Sequence, residues 1–348
     1  MCTIVKMFIK VYYTKNKKKG IPMKITNTLI AGAGAVGLTV AHQIHSYNPN
    51  AVKILAKGER FERYSKNGLY VNDEKIDFNI VNADYTPEQY PELIIIACKN
   101  HHLETILEDM KNYVNQNTII LSLLNGITSE QIIAKKYPHA KIPLGMILGT
   151  DGQHGNEHAY YNLTGTIFFG DNQNDSINGK PQANSSEHVR TIAKFFEETN
   201  ISYNVPENML RKLWYKFLMN VGINQSSAIL RLPYGPFQTQ TNIPEALELV
   251  YTLQREVLAI AKHEGVGNGL GGDLTEEDIL TCQKTVDSLT PTSRTSMCQD
   301  VLAKRKTEVE LFSKTISELG KKHNIPTPAN DLAYLKLRTM ELSYEFVN

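Results

Sequence analysis

Three polar residues recur at helical spacing inside an apolar stretch: Lys216, Asn220 and Asn224, in the run RKLWYKFLMNVGINQSSAIL that starts at Arg211. Steps of four place them on one face of a helix. Large apolar residues surround them, among them Leu213, Trp214, Phe217, Leu218, Val221 and Ile223. A lysine with two amides is a kit for a carbonyl substrate: the cation protonates a developing alkoxide and the amides hold the rest of the molecule. A polar helix face that meets water is the alternative reading of the same stripe.

A second group follows in TSMCQDVLAKRKTEVELF, from Thr295. Thr307-Glu308-Val309-Glu310 has the form of a capping box, with Thr at the N-cap and Glu at the third helical position. It predicts a new helix starting at Glu308 and an earlier one ending near Ala303. In one straight helix Ser296 and Glu308 would stand ~18 Å apart. A turn at 304–306 lets both reach one cleft. The alternative for Glu308 is a first-turn glutamate that complements the helix dipole.

The third group is Gly32-Ala33-Gly34-Ala35-Val36-Gly37, a G-x-G-x-x-G pattern between an apolar strand and an apolar helix. Gly32 permits the tight turn, Gly34 admits a pyrophosphate, and Gly37 lets helix and strand pack closely. The helix N-terminus supplies unpaired N–H groups and partial positive charge. A close-packed corner without a ligand is the alternative. About 20 residues on, where an NAD site places an acidic residue, the second strand ends KILAKGER. Lys57 stands there with Arg60 nearby, which favours a 2′-phosphate and therefore NADP. Glu59 argues weakly the other way, and a solvated surface lysine is the alternative for Lys57.

These residues need a scaffold. Lys24–Ala31, Ala51–Ala56, Leu93–Cys98 and Thr118–Leu124 read as strands, and Ala35–Ser46 and His101–Tyr113 as helices. The uninterrupted apolar runs suit strands buried on both faces of a parallel, doubly wound α/β sheet. Residues 69–81 predict a hairpin around Asn72-Asp73-Glu74-Lys75. Further strands are expected near 142–149 and 157–169, a polar loop over 171–186, and a helix over 187–199. From Glu207 the pattern is helical: 207–228, 243–264, 275–288, 292–303, 307–323 and 329–341. The division that follows is an extension over 1–22, a Rossmann domain over 23–203 and an all-helical domain over 204–348. The extension, apolar then basic (KNKKKG), reads as loosely attached, with a basic arm for a membrane or nucleic acid as the alternative.

Composition restrains the partners. The 348 residues carry 37 basic and 36 acidic side chains, a net charge of +1, which calls for no polyanionic partner such as nucleic acid. No apolar run approaches the ~20 residues that span a bilayer. Four cysteines, Cys2, Cys98, Cys282 and Cys298, match no disulfide framework or metal pair, and read as reduced thiols in a cytoplasm. His154 and His158 lie in a glycine-rich loop without the helical context of a metal site, so no metal is expected.

Taken together, the stretches resemble the ketopantoate reductase family (2-dehydropantoate 2-reductases), from about Lys24 to Glu345. The matching pieces are GAGAVG at 32–37, Lys99 after LIIIAC, Asn125-Gly126, LWYKFLMNVGIN at 213–224, SMCQD at 296–300, KTEVE at 306–310 and HNIPTPAND at 323–331. The resemblance implies a Rossmann domain plus an all-helical domain with the active site between them, and NADPH as hydride donor to a small 2-oxo acid. By resemblance, Lys216 is the catalytic proton donor and Glu308 an essential acid near it and the cofactor. Asn220, Asn224 and Ser296 match substrate-binding positions, Asn125 one that touches both cofactor and substrate, and Lys57 and Lys99 cofactor-binding positions. The reaction implied is reduction of 2-dehydropantoate to (R)-pantoate, toward pantothenate and coenzyme A. Another 2-oxo acid, or a nucleotide sensor without turnover, are the alternatives, and a homodimer is left open. The departures concern the substrate end: Leu124 where Gln or His is usual, Gln225 for Pro, Tyr234 for a substrate-contacting Asn, and Ser313-Lys314 for Asn-Gly. Lys57 replaces an arginine and loses its bidentate fork. The loop GVGNGLGGD (265–273) reads as a flexible linker.

Overall fold

The computed structural model describes residues 24–346; the expected extension over 1–22 lies outside them. Four short apolar runs form the centre of a parallel sheet: β1 (Thr28–Ala31), β2 (Val52–Ala56), β6 (Leu93–Ile96) and β7 (Ile119–Ser122). Their side chains are almost wholly buried, because helices cover both faces. The strand order is β5-β2-β1-β6-β7, with β5 at Asn79–Asn82. The chain winds outward from β1 to β5, then crosses back to β6. The winding therefore reverses between β1 and β6, where open α/β sheets hold ligands outside the strand C-termini.

The predicted hairpin forms as β3 (Leu69–Val71) and β4 (Glu74–Ile76), turning on Asn72 and Asp73, both at positive φ. The end of that stretch leaves the hairpin and becomes the parallel edge strand β5, because Asn79–Asn82 aligns with β2. The expected strand over 157–169 is two strands in two sheets. β10 (His158–Tyr160) joins β3 and pairs antiparallel with β9 (Gln153–Gly155), and β11 (Thr164–Gly170) pairs antiparallel with β8 (Leu144–Thr150). The β8–β11 sheet has two apolar faces. Ile147, Ile167 and Phe169 pack into the Rossmann core, while Met146 and Phe168 pack into the helical core with Trp214 and Phe217. Alternation along a strand thus welds two cores through one sheet.

Helices α1 (Ala35–Tyr47), α2 (Glu59–Asn67), α3 (Leu103–Asp109), α4 (Ser129–Lys136) and α5 (Glu187–Glu198) belong to the first part. Sequence reading missed α2 and α4, which are short and polar. The helical part comprises α6 (Met209–Met219), α7 (Gln225–Leu230), α8 (Pro244–Ala261), α9 (Glu276–Asp287), α10 (Ser296–Leu302), α11 (Thr315–His323) and α12 (Pro328–Leu342). Two of the expected continuous helices are interrupted. Asn220–Asn224 is a π-helical turn between α6 and α7, and Glu310–Lys314 another ahead of α11. Such turns mark functional sites more often than chance.

The capping box forms elsewhere than expected. Thr275 and Asp278 make one at the start of α9. At Thr307 the backbone N–H instead donates to Glu341 Oε1 of α12, 2.6 Å away, and the Thr307 hydroxyl bonds the same carboxylate. Loop 265–273 is also no free linker: Asn208 Nδ2 donates to Leu270 O (3.0 Å) and Arg211 Nε to Gly272 O (3.1 Å), pinning it to α6.

Candidate active site

The three glycines of the first turn separate into two kinds. Gly32 has φ +117°, and a Cβ there would sit 2.6 Å from Ala97 O; at Gly37 it would sit 1.9 Å from Gly32 O. Both are required by the fold itself, since strand, helix and the β6 loop touch at these atoms. Gly34 is different. Its backbone is extended (φ −87°, ψ −172°), a conformation any residue adopts, and a Cβ would meet nothing nearer than Ala97 O at 3.9 Å. The space beside Gly34 is open, at the switch point between β1 and β6. The start of α1 carries neither an acidic residue nor a side-chain cap. The first N–H groups of a helix have no partner within it, and they are the donor set an anion takes. The residues present therefore fit a dinucleotide pyrophosphate, with Ala33, Ala35 and Val36 half-buried on the same loop.

Away from the glycine corner, three residues from three elements meet. Lys216, from the last turn of α6, donates from Nζ to Asn125 Oδ1 at 2.9 Å and to Ile147 O of β8 at 3.0 Å. Asn125, in the turn after β7, donates from Nδ2 to Glu308 Oε2 at 2.9 Å. The amide is thus gripped at both ends, cation on its oxygen and carboxylate on its nitrogen. Gly126 lets the turn close: it has φ +87°, and a Cβ would lie 2.6 Å from Leu311, which follows Glu308. Only 7% of Lys216 is exposed. Burial pushes its ammonium down to about 8, opposed by the charge of Glu308. Burial also raises the Glu308 carboxyl, against the Asn125 hydrogen bond and the charges of Lys99 and Lys216. An ammonium has three protons. Two are engaged by Asn125 and Ile147, so one remains for an incoming oxygen.

Asn220 and Asn224 are buried in the π turn one step further along, and neither amide is bonded by another group among the described residues. Asn220 and Asn224 open and close the π turn, in which hydrogen bonds run from i to i+5 and not from i to i+4. Gly222 in this turn lets α8 approach: a Cβ there would be 2.7 Å from Gln254. Ser296 is the first residue of α10 and is exposed. Its neighbour on the same helix, Asp300, is buried and ties the two halves together: Lys99 Nζ, after β6, lies 2.7 Å from Asp300 Oδ2, and Arg305 Nε 2.8 Å from Oδ1. Lys57 ends β2 as expected. Its ammonium is paired with Asp84 (3.1 Å) and Asp109 (3.8 Å).

Two residues flagged only as departures from a family pattern form one contact. Gln225 and Ser313 are both fully buried. Gln225 Oε1 accepts from the Ser313 hydroxyl and from its backbone N–H (3.2 Å), while Gln225 Nε2 donates to Val221 O (2.8 Å). The contact joins the π turn of Asn220 to the π turn that follows Glu308. Nothing in the local sequence at either position signals it. Among the described residues no group of three or more His, Cys, Asp or Glu is placed to hold a metal, and no helix is long and apolar enough to cross a membrane.

The comparisons agree with this architecture. The family model described as "Ketopantoate reductase PanE/ApbA" matches residues 28–174, and "Ketopantoate reductase PanE/ApbA C terminal" matches 208–341. A 2-dehydropantoate 2-reductase of Streptococcus pyogenes is 25% identical over 305 residues, covering 86% of this chain and 92% of its own. Among solved structures, a D-mandelate dehydrogenase with NADH and anilino(oxo)acetate superposes with a TM-score of 0.76 at 24% identity, over 91% of this chain and 99% of that one. A dimeric ketopantoate reductase from Staphylococcus aureus gives 0.70 at 21% identity, over 91% and 99%.

Proposed function

The chain belongs to the ketopantoate reductase family, and on that premise we propose that this oxidoreductase reduces 2-dehydropantoate to (R)-pantoate with NADPH, in pantothenate and coenzyme A biosynthesis. The observation that carries the reading is the chain Lys216–Asn125–Glu308, with one Lys216 proton uncommitted. When bound, NADPH supplies the hydride that adds to the carbonyl carbon. The glycine corner 32–37 seats its pyrophosphate, and Lys57 and Lys99 supply cations along it. Lys216 delivers its third proton to the carbonyl oxygen as negative charge develops there, so the C=O becomes a C–OH and the lysine is left neutral until it regains a proton. Glu308 holds Asn125 in place and helps keep Lys216 protonated, since its charge opposes the desolvation of the ammonium. Asn125 lies between the cofactor and substrate sides. Asn220 and Asn224, with amides not engaged among the described residues, hold the substrate's polar groups, and Ser296, exposed at the start of α10, receives its carboxylate. The division we propose places the dinucleotide domain at 23–203 and the catalytic domain at 204–348.

Cytoplasmic location goes with the free thiols of Cys98, Cys282 and Cys298. A homodimer is proposed from the dimeric Staphylococcus aureus relative. The second reading is a reductase of a different 2-oxo acid. The likeness to a D-mandelate dehydrogenase and the half-buried Tyr234 beside the cleft helices favour it. A sensor without turnover would have no use for an uncommitted proton on a buried lysine. The test is NADPH oxidation with ketopantoate beside a panel of aliphatic and aryl 2-oxo acids. The proposal expects ketopantoate to be the best substrate by kcat/KM. Turnover of another acid with none of ketopantoate overturns it in favour of the second reading.

A further inference from the structure

The end of β2 is where a Rossmann fold distinguishes NADPH from NADH, and here its cation is already bonded. Lys57 Nζ lies 3.1 Å from Asp84 Oδ1 and 3.8 Å from Asp109 Oδ1. Asp84 follows β5, and the backbone beside it is anchored: Ala83 N–H donates to Ala56 O (2.9 Å), and Asn112 Nδ2 to Ala83 O (3.0 Å). Asp109 closes α3, its side chain only 10% exposed. Tyr113 Oη, just beyond α3, donates to Asn82 O (2.8 Å), which holds that helix end against β5. Two carboxylates from two rigid elements thus converge on one ammonium. Arg60, at the start of α2, is the further cation within electrostatic reach of Asp109. Lys57 and Arg60 against Asp84 and Asp109 leave no net positive charge for a phosphate dianion. A ribose 2′-hydroxyl is uncharged and can donate to an exposed carboxylate such as Asp84.

We propose that Asp84 and Asp109 are specificity-determining residues that lower the preference for NADPH over NADH by competing with the 2′-phosphate for Lys57. This rests on the reading of the glycine corner as a dinucleotide seat. Lys57 is then shared: NADPH must displace the Asp84 pair to use it, whereas NADH leaves the pair intact. Removing the exposed carboxylate frees the cation without touching a buried group.

The experiment measures dissociation constants of NADPH and NADH for the full chain by calorimetry, without any 2-oxo acid. The wild type is expected to bind the two within about tenfold of each other. Asp84→Asn is expected to raise the NADPH:NADH affinity ratio by about fivefold or more with NADPH binding itself tightened, that tightening shrinking with added salt and vanishing in Asp84→Asn/Lys57→Ala. Asp109→Asn, checked for folding by its Tm, shifts the ratio the same way. A wild-type NADPH preference beyond about a hundredfold, or an unchanged ratio in Asp84→Asn, overturns the proposal. Binding of neither dinucleotide overturns it together with the cofactor site. Selective dinucleotide binding without ketopantoate turnover leaves it standing and removes only the proposed substrate.

Discussion

Lys57 and Lys216 are the same residue type in two unlike settings. Lys57 ends a strand at the surface, and hydrogen bonding to Asp84 holds its ammonium above the ordinary lysine range. Lys216 is buried, and desolvation pushes it down to about 8. Lys57 faces two carboxylates; Lys216 faces an amide oxygen and a backbone carbonyl, with Glu308 one residue removed behind Asn125. The difference teaches that a direct carboxylate partner makes a lysine a fixed charge. An amide interposed between lysine and carboxylate leaves a proton that can be given away, at a pKa where giving it is useful.

The hardest test of that contrast is truncation. Lys216→Ala is expected to lower kcat by about 10²–10⁴ with the NADPH dissociation constant unchanged, read by single-turnover kinetics and titration. Near-normal turnover would make Lys216 as static as Lys57. At the dinucleotide end the glycines give a paired test. Gly34→Ala should keep its Tm yet weaken cofactor binding about tenfold or more, whereas Gly37→Ala should cost ~2 kcal/mol of stability or more from its clash with Gly32. If both merely destabilise, the corner is packing alone. The pH profile comes next. Lys216 must be protonated to act, so kcat/KM should fall as pH rises through about 8, roughly tenfold per unit beyond. A limb near the ordinary lysine value of 10.5 would mean that burial does not set its acidity. The smallest effect belongs to Gln225 and Ser313. A double-mutant cycle with Gln225→Leu and Ser313→Ala should return a coupling of about 1 kcal/mol in stability. Additive effects would show that the two π turns are held independently.

Much of the parallel sheet was legible because its central strands are mostly apolar runs, as burial on both faces favours. The glycine turn was legible because Gly32 and Gly37 answer local steric demands and Gly34 completes the spacing between them. α2 was missed because ERFERYSKN offers one buried side chain, Tyr64, and no apolar stripe. The Thr307 capping box was misread because the motif is a local pattern, and Glu341 from a distant helix takes the N–H that Glu310 was expected to cap. The π turn over Asn220–Asn224 was not foreseen because it has no local signature. Ser296, which a turn at 304–306 lets reach one cleft with Glu308, begins α10 and is exposed, and it is Asp300 of that helix that bonds Lys99.

By itself the sequence determined a dinucleotide-type α/β domain followed by helices, and singled out a buried lysine, an asparagine turn and a glutamate as the reactive set. The α/β pattern, the lysine and the glutamate are consequences of local sterics, periodicity and side-chain type, whereas Asn125 was marked by resemblance to the family alone. Only the tertiary structure decided that Asn125 separates Lys216 from Glu308, that Lys57 is shared with Asp84 and Asp109, and that Gln225 bonds Ser313. Each is a contact between residues far apart in the chain. Burial, ion pairing and the number of protons left on a lysine are properties of such contacts, and no local pattern carries them.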